Sequence, residues 1–359
     1  MLPPGLQAGS ATPTEGPKQR FLKTNYIVRQ LASGLFATVY ISIPKIIADQ
    51  LISDTSLSPE KLHSALRQNL QAAKISKSAS MAEEISLLKA MKVKSSSSSA
   101  FTLPNLLDSD PSSTPLWLTL QYLNGGTLQD LLDLYYNQPP PPPLPTSLLW
   151  HWISQMAQTL LSLHQGLTIH QNSQGKPELV LDENWVPTIH NDIHRQNLIF
   201  NTTSTYPDLI LSDFGNSIRQ DTNPYGFPWT NLKETQISSM LCEVEQLANK
   251  VDRPDDLLSL LFEQTPNFRR AGDEDAENDA EREFLEKVIN LAEKRKKKTW
   301  RPMPDGLKEY FENKGVKDEE LEGSVKRLRE KNLEQELSAE ASSSAEQDEK
   351  TPGCGCATL

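Results

Sequence analysis

The sequence is poor in cysteine and has no excess of positive charge. Its 359 residues include three cysteines, Cys242, Cys354 and Cys356, which are too few for a disulfide framework and suit a reducing compartment. The net charge of -11 argues against nucleic-acid binding, which needs a basic face. No apolar run approaches the roughly 20 residues that span a bilayer, and the N-terminus does not resemble a secretory signal. We therefore expect a cytoplasmic protein that binds no nucleic acid.

The chain changes in character along its length. Residues 1–20 are predicted to be a disordered tail, and residues 21–123 are strand-rich, with a hairpin around Gly34 and one helix at 80–92. Residues 124–305 are helix-rich with a few short strands and a polyproline insert at 138–145. One of these helices is expected at 255–264, and the acidic run at 273–284 is expected to be a solvated loop. Residues 306–359 are predicted to be a charged, largely disordered tail. This order predicts an α+β fold with two lobes and a ligand cleft between them.

A polar cluster interrupts the second part of the chain. The stretch "TIHNDIHRQNLIFN", residues 188–201, contains Asp192 and Asn197, and a second aspartate, Asp213, follows an apolar strand. Carboxylate and amide oxygens are the ligands that Mg²⁺ prefers. One aspartate free to accept a hydroxyl proton, with an asparagine and an aspartate on the metal, is the minimum set for phosphoryl transfer.

Several segments resemble the protein kinase family, in the expected order and over roughly residues 21–260: "QAAKIS", "EEISLLKAM", "LTLQYLNGG", "HNDIHRQN" and "DFG". The resemblance implies a bilobal kinase-like fold and a transfer of the γ-phosphoryl group of Mg-ATP to a serine or threonine hydroxyl of a protein substrate. It implies that Asp192 is the catalytic base and that Asn197 and Asp213 bind magnesium. It further implies that Lys74 contacts the phosphates and forms an ion pair with Glu84.

The resemblance also implies which residues contact the nucleotide. In the small lobe these are Gly34 and Val39 of the glycine-rich segment, together with Lys74. In the segment that is similar to the hinge, Gln121 and Leu123 are expected to offer backbone groups to the adenine ring. The cofactors implied are ATP and Mg²⁺, and the sequence leaves the oligomeric state open.

Some positions depart from the family pattern. Alanines replace the two outer glycines of the glycine-rich loop, which weakens the expected hold on nucleotide. Asn191 replaces the usual arginine, and His194 occupies a position where small-molecule kinases often carry histidine. No Ala-Pro-Glu follows Gly215. In the segment similar to the central helix of the large lobe, Glu243 replaces the usual aspartate. A pseudokinase scaffold and a small-molecule kinase of the aminoglycoside or choline type therefore stay open.

Three of these side chains have a structural interpretation beside the functional one. His190 is expected to brace the loop rather than to carry protons. His194 is either a donor to phosphate or a solvated turn residue. Lys74 is either the ion-pair partner of Glu84 or an edge lysine whose head reaches solvent.

The last four residues, "CATL", fit a prenylation motif with geranylgeranyl as the expected chain on Cys356. Palmitoylation of Cys354 would supply the second anchor that stable attachment to a membrane surface requires. Because a four-residue pattern often arises by chance, an unmodified C-terminus is the alternative.

Overall fold

The computed structural model describes residues 16–77, 81–95, 103–137, 141–171, 177–202, 205–223, 226, 228–252 and 274–330. The predicted helix at 255–264 and both C-terminal cysteines lie outside these residues. Helices and antiparallel strands occur together in the described chain, which confirms the α+β class. None of the described helices is long and apolar enough to cross a membrane. The described chain divides into two compact units, one formed by residues 16–77 and 316–330 and the other by residues between 81 and 315.

Unit 1 contains three strands and several short helices. Its elements are α1 (Pro17–Leu22), β1 (Asn25–Ser33), β2 (Ala37–Pro44), α2 (Lys45–Ser53), α3 (Pro59–Gln68) and β3 (Gln71–Ser76). Strand β2 pairs antiparallel with both β1 and β3. The predicted hairpin around Gly34 is confirmed, and the Gly34 amide donates to the Ala37 carbonyl at 2.9 Å. The hairpin could be predicted because β-branched and aromatic residues lie on either side of a turn that contains glycine.

Unit 1 also includes the last described helix, residues 318–330. Leu321 and Val325 of this helix are fully buried. Glu320 forms an ion pair with Arg29 of β1 at 3.2 Å, and Glu322 contacts His63 of α3 at 2.7 Å. This segment is helical, whereas the chain beyond residue 305 was expected to be largely disordered. The segment folds with few apolar residues because Leu321 and Val325 are four positions apart and lie on the same buried face of the helix.

Unit 2 is larger and mostly helical. Its helices are α4 (Ala82–Ser95), α5 (Leu128–Tyr136), α6 (Thr146–Gln165), α7 (Trp229–Ala248), α8 (Glu274–Lys298) and α9 (Asp305–Lys314). Its strands are β4 (Leu106–Ser109), β5 (Trp117–Gln121), β6 (Leu167–Gln171), β7 (Pro177–Leu181), β8 (Thr188–Ile189), β9 (Leu198–Asn201), β10 (Asp208–Leu211) and β11 (Ile218–Arg219). They form the antiparallel pairs β4–β5, β6–β7, β8–β11 and β9–β10.

Helix α6 lies at the centre of unit 2. It is buried on nearly every side, with Trp150 and Trp152 fully buried, and it packs against α7 and α8. The other elements of unit 2 therefore surround it. The acidic run at 273–284 was expected to be a solvated loop, but it is helical from Glu274. Its end joins the core because Phe284 and Leu285 are buried.

Two features fix the start of α5 close to the strands of the site. The Gly125 amide donates to the Phe200 carbonyl at 2.9 Å, and a Cβ on Gly125 would lie only 2.5 Å from the Phe200 Cβ. Thr127 then caps α5, exchanging hydrogen bonds with Asp130 at both its backbone and its side chain. Glycine is therefore required at 125 for a close approach of backbones.

Candidate active site

Two loops of unit 2 lie side by side because the strands at their ends are paired. Residues 190–197 connect β8 to β9, and residues 212–217 connect β10 to β11. Leu198 pairs with Leu211, and Ile189 pairs with Ile218, so both ends of both loops are joined. The Ser212 amide and hydroxyl also donate to the Asn197 carbonyl, at 2.8 and 2.9 Å. The folded chain therefore brings Asp192, Asn197 and the segment that begins at Asp213 to one place.

Asp192 is held by two asparagine side chains. Its Oδ2 accepts from Asn216 Nδ2 at 3.1 Å and from Asn197 Nδ2 at 3.4 Å. Asn197 Nδ2 also donates to the Asp192 carbonyl at 2.9 Å. These bonds orient the Asp192 carboxylate, whose side chain is 34% exposed. Asn216 was not predicted, although its position directly after "DFG" is a usable signal.

The same bonds fix the Asn197 amide. Since Nδ2 faces Asp192, Oδ1 points to the other side, and it accepts no hydrogen bond from the described residues. The side chain is 8% exposed, so an oriented amide oxygen is available at the edge of the core. An amide oxygen of this kind and a carboxylate such as that of Asp213 are the types of ligand that magnesium takes, with water and phosphate supplying the rest.

Asp213 and Asn191 both adopt left-handed backbone conformations. Their φ angles are 63° and 61°, a region that residues other than glycine rarely occupy. Asp213 Oδ1 accepts from the Gly215 amide at 3.3 Å and caps a short helical turn, Phe214–Asn216. Strained non-glycine residues persist where the surrounding structure imposes them, and they cluster at functional sites.

His190 is the first residue of one loop, and its side chain contacts the other loop. It is completely buried, its Nε2 lies 2.9 Å from the Ser212 carbonyl, and its ring meets the Phe214 ring edge-on at 4.7 Å. The hydrogen bond requires the proton on Nε2. Burial lowers the pKa of His190 to about 4, although the hydrogen bond to the Ser212 carbonyl raises this pKa and offsets part of the effect. His190 is therefore neutral at neutral pH and contacts both loops as a structural support.

His194 lies beside the Asp192 carboxylate. Its Nε2 is 3.5 Å from Asp192 Oδ1, and its Nδ1 accepts from the Gln196 amide at 3.2 Å. Because Nδ1 accepts, the neutral ring carries its proton on Nε2, facing Asp192. The side chain is 40% exposed, so this nitrogen is also accessible to a ligand.

Helix α7 contacts the loop at residues 190–197 through a residue that was not predicted from the sequence. Gln236 of α7 is buried, and its amide oxygen accepts from the backbone amides of His190 at 2.7 Å and Asn191 at 2.6 Å. Glu243, the residue expected to replace the usual aspartate, has its Oε2 3.8 Å from Arg195 Nε. The sequence gives no signal for Gln236, because its partners are more than forty positions away in the chain.

The remaining predicted residues fall into two groups. In unit 1, Lys74 of β3 is the register partner of Val39 on β2, and Gly34 is at the hairpin turn. In unit 2, Glu84 is buried on α4, a helix that packs against the turn Phe214–Asn216. The contact between Lys74 and Glu84 stays a prediction because these residues belong to different units.

The segment expected to meet the adenine ring ends strand β5. Gln121 is the last residue of this strand and is exposed, and Leu123 is partly buried. The Gln121 amide donates to the Asn105 carbonyl at 2.9 Å, so this N–H group already has a partner.

Within the described residues, no group of three or more histidine, cysteine, aspartate or glutamate side chains is arranged to hold a metal ion. The candidate ligands are instead one amide and one carboxylate, Asn197 and Asp213. In comparisons with known proteins, no family model and no curated protein matches the chain. The geometry of the two loops and the order of the motifs therefore have to support any function.

Proposed function

We propose that the chain is a divergent protein kinase with a bilobal kinase-like fold, and that it transfers the γ-phosphoryl group of Mg-ATP to a serine or threonine hydroxyl of a protein. The observation that carries this proposal is the Asp192 carboxylate, held by Asn216 at 3.1 Å and by Asn197 at 3.4 Å, beside the strained turn at Asp213. A carboxylate oriented by amide donors, next to an amide and a carboxylate oxygen that suit magnesium, is the set that phosphoryl transfer requires.

Asp192 acts in this proposal as the acceptor of the hydroxyl proton. Its Oδ2 is fixed by the asparagines and its Oδ1 faces His194 Nε2 at 3.5 Å. Proton acceptance by a positioned carboxylate typically contributes about 10²–10⁴-fold to a rate. The partial exposure of Asp192 leaves room for an acceptor hydroxyl to approach.

Asn197 and Asp213 would hold the magnesium ion. When it is bound, magnesium neutralises charge that develops on the phosphate oxygens. Lys74 would contact the phosphates, with Glu84 as its ion-pair partner, and Gly34, Val39, Gln121 and Leu123 would contact the nucleotide. These assignments follow the motif resemblance.

The test uses the purified full chain with Mg-ATP and labelled γ-phosphate. Transfer to generic protein substrates on serine or threonine is expected, and Asp192→Asn should lower its rate by about 10²–10⁴-fold while nucleotide binding stays. Transfer only to aminoglycosides or choline would identify the chain as a small-molecule kinase instead of a protein kinase. Binding of ATP without any transfer would identify a pseudokinase, and absence of both would refute the proposal.

We also propose a cytoplasmic location with a lipid on Cys356, and a second on Cys354, which would bring the protein to a membrane surface. Intact mass of the chain expressed in eukaryotic cells tests this directly. A geranylgeranyl increment that disappears in Cys356→Ser supports the lipid, and an unmodified mass contradicts it.

A further inference from the structure

A buried set of polar side chains lies behind the loop that carries Asp192. Lys233 and Gln236 of α7, His164 of α6 and Glu281 of α8 are all at most 5% exposed. Lys233 Nζ lies 2.9 Å from Glu281 Oε2, and His164 Nδ1 is hydrogen-bonded to Glu281 Oε1. His164 Nε2 lies 2.8 Å from the side-chain amide of Gln236. The set thus runs from the side of α8 to the backbone of the loop.

The order of donors and acceptors in this set is determined at the loop. The amides of His190 and Asn191 are both donors, so the Gln236 atom that faces them has to be the oxygen. The Gln236 NH₂ group then faces His164 Nε2, which has to accept. His164 therefore carries its single proton on Nδ1 and donates it to Glu281.

The charges in the set agree with this order. Burial opposes ionisation of Glu281, but its hydrogen bonds with His164 and Gln165 and its attraction to Lys233 hold its pKa below the ordinary value. One carboxylate thus meets one ammonium group at 2.9 Å, and the pair is balanced.

We propose that Gln236 is a positioning residue of the catalytic loop, and that His164, itself held by Glu281 and Lys233, keeps the Gln236 side chain against that loop. This inference rests on the proposed function, because it assigns Gln236 to the site of phosphoryl transfer. Two hydrogen bonds to adjacent amides hold Asn191 in its left-handed conformation at φ 61°, and Asp192 follows directly. The direction of the Asp192 carboxylate therefore depends on an amide that does not touch substrate.

Two substitutions of Gln236 separate positioning from packing. Gln236→Met keeps the volume but removes both acceptor bonds. Gln236→Glu keeps the two acceptor bonds, and His164 then takes a second proton, so that two carboxylates meet two positive groups. The control is Gln165→Met, since Gln165 donates to Glu281 at 3.0 Å without reaching the loop.

Hydrogen exchange of the His190 and Asn191 amides is the first readout. We expect exchange about tenfold faster in Gln236→Met, the equivalent of one lost hydrogen bond, and wild-type protection in Gln236→Glu and Gln165→Met. The second readout is turnover: Gln236→Met should lower kcat by roughly 10²-fold with the KM for ATP little changed, and Gln236→Glu should restore it. Unchanged amide protection in Gln236→Met, or no rescue by Gln236→Glu, would overturn the inference.

The nitrogen chemical shifts of His164 decide the case even where Gln236→Met does not fold. The wild-type protein should show a protonated Nδ1 and an unprotonated Nε2, and Gln236→Glu should show both nitrogens protonated. A proton on Nε2 in the wild type would overturn the inference. If the wild-type chain transfers no phosphate, the proposed function fails, but the exchange and shift measurements still test the anchoring by Gln236.

Discussion

Replacing His190 with phenylalanine should remove a specific part of the acid sensitivity of the protein. The folded pKa of His190 is about 4 and its ordinary value is 6.5. Between these pH values His190 binds a proton in the unfolded chain but not in the folded chain. The free energy of unfolding therefore falls as the pH falls from about 6.5 to about 4. At ~1.4 kcal/mol per pKa unit, the total loss is on the order of 3 kcal/mol.

The phenylalanine variant keeps an aromatic ring against Phe214 but cannot take up the proton. At pH 7 it should be less stable by about 1–3 kcal/mol, because the Ser212 carbonyl loses its hydrogen bond. Between pH 6.5 and 4.5 the difference from wild type should shrink steadily with acidification. Glu281 does not interfere in this window, since its pKa is lowered to about 2 and its contribution is lost only below about 4.5.

The assay is denaturant unfolding of both proteins at several pH values from 7.5 to 4.5. His194→Gln is the matched control, because His194 is on the same loop but its side chain is 40% exposed. Because His194→Gln keeps the buried His190, the loss of stability that His190 causes on acidification should remain in this variant. A pH-independent difference between wild type and His190→Phe would refute the burial of His190 as the structure gives it.

Two further substitutions test the packing that places the site. Gly125→Ala should destabilise unit 2 by on the order of 2 kcal/mol, since its Cβ would lie 2.5 Å from the Phe200 Cβ, whereas Gly34→Ala, with 3.6 Å to the nearest atom, should change stability little. Equal stability of Gly125→Ala and Gly34→Ala would contradict the close approach of Gly125 to Phe200. Phe311→Ala should cost about 3–5 kcal/mol because it removes the ring that meets Phe200 at 5.2 Å, and Trp300→Ala, at 58% exposure, is its control. Both are measured by unfolding, and a harmless Phe311→Ala would show that α9 does not belong to the core.

Local patterns in the sequence predicted several elements of the fold. The hairpin around Gly34, the helix that carries Glu84 and the strand before Asp213 all occur near their expected positions. Each is specified by the periodicity of its own residues, which a sequence shows directly. Short helices such as α2 and α3 were not predicted, although Ser58 and Pro59 mark the start of α3 as a capped helix.

Other features depend on partners that are distant in the chain. The acidic run at 273–284 looks solvated, yet Glu281 is buried because Lys233 and His164 compensate its charge. Residues 305–314 look too polar for a core, yet Phe311 packs on Phe200. At the site, Asp192, Asn197 and Asp213 could be named from motifs, whereas Asn216 and Gln236 were not predicted. Their roles come from hydrogen bonds that only the folded chain brings together.

The rate of phosphoryl transfer from Mg-ATP by wild type, Asp192→Asn and Asp221→Asn tests the central claim most directly. Asp221 is the matched control, an exposed aspartate whose carboxylate pairs with Arg219 at 2.9 Å. We predict that Asp192→Asn lowers the rate by about 10²–10⁴-fold with nucleotide binding unchanged, and that Asp221→Asn behaves as wild type. Equal rates for wild type and Asp192→Asn, or no transfer by the wild-type chain, would contradict a phosphotransferase site at Asp192.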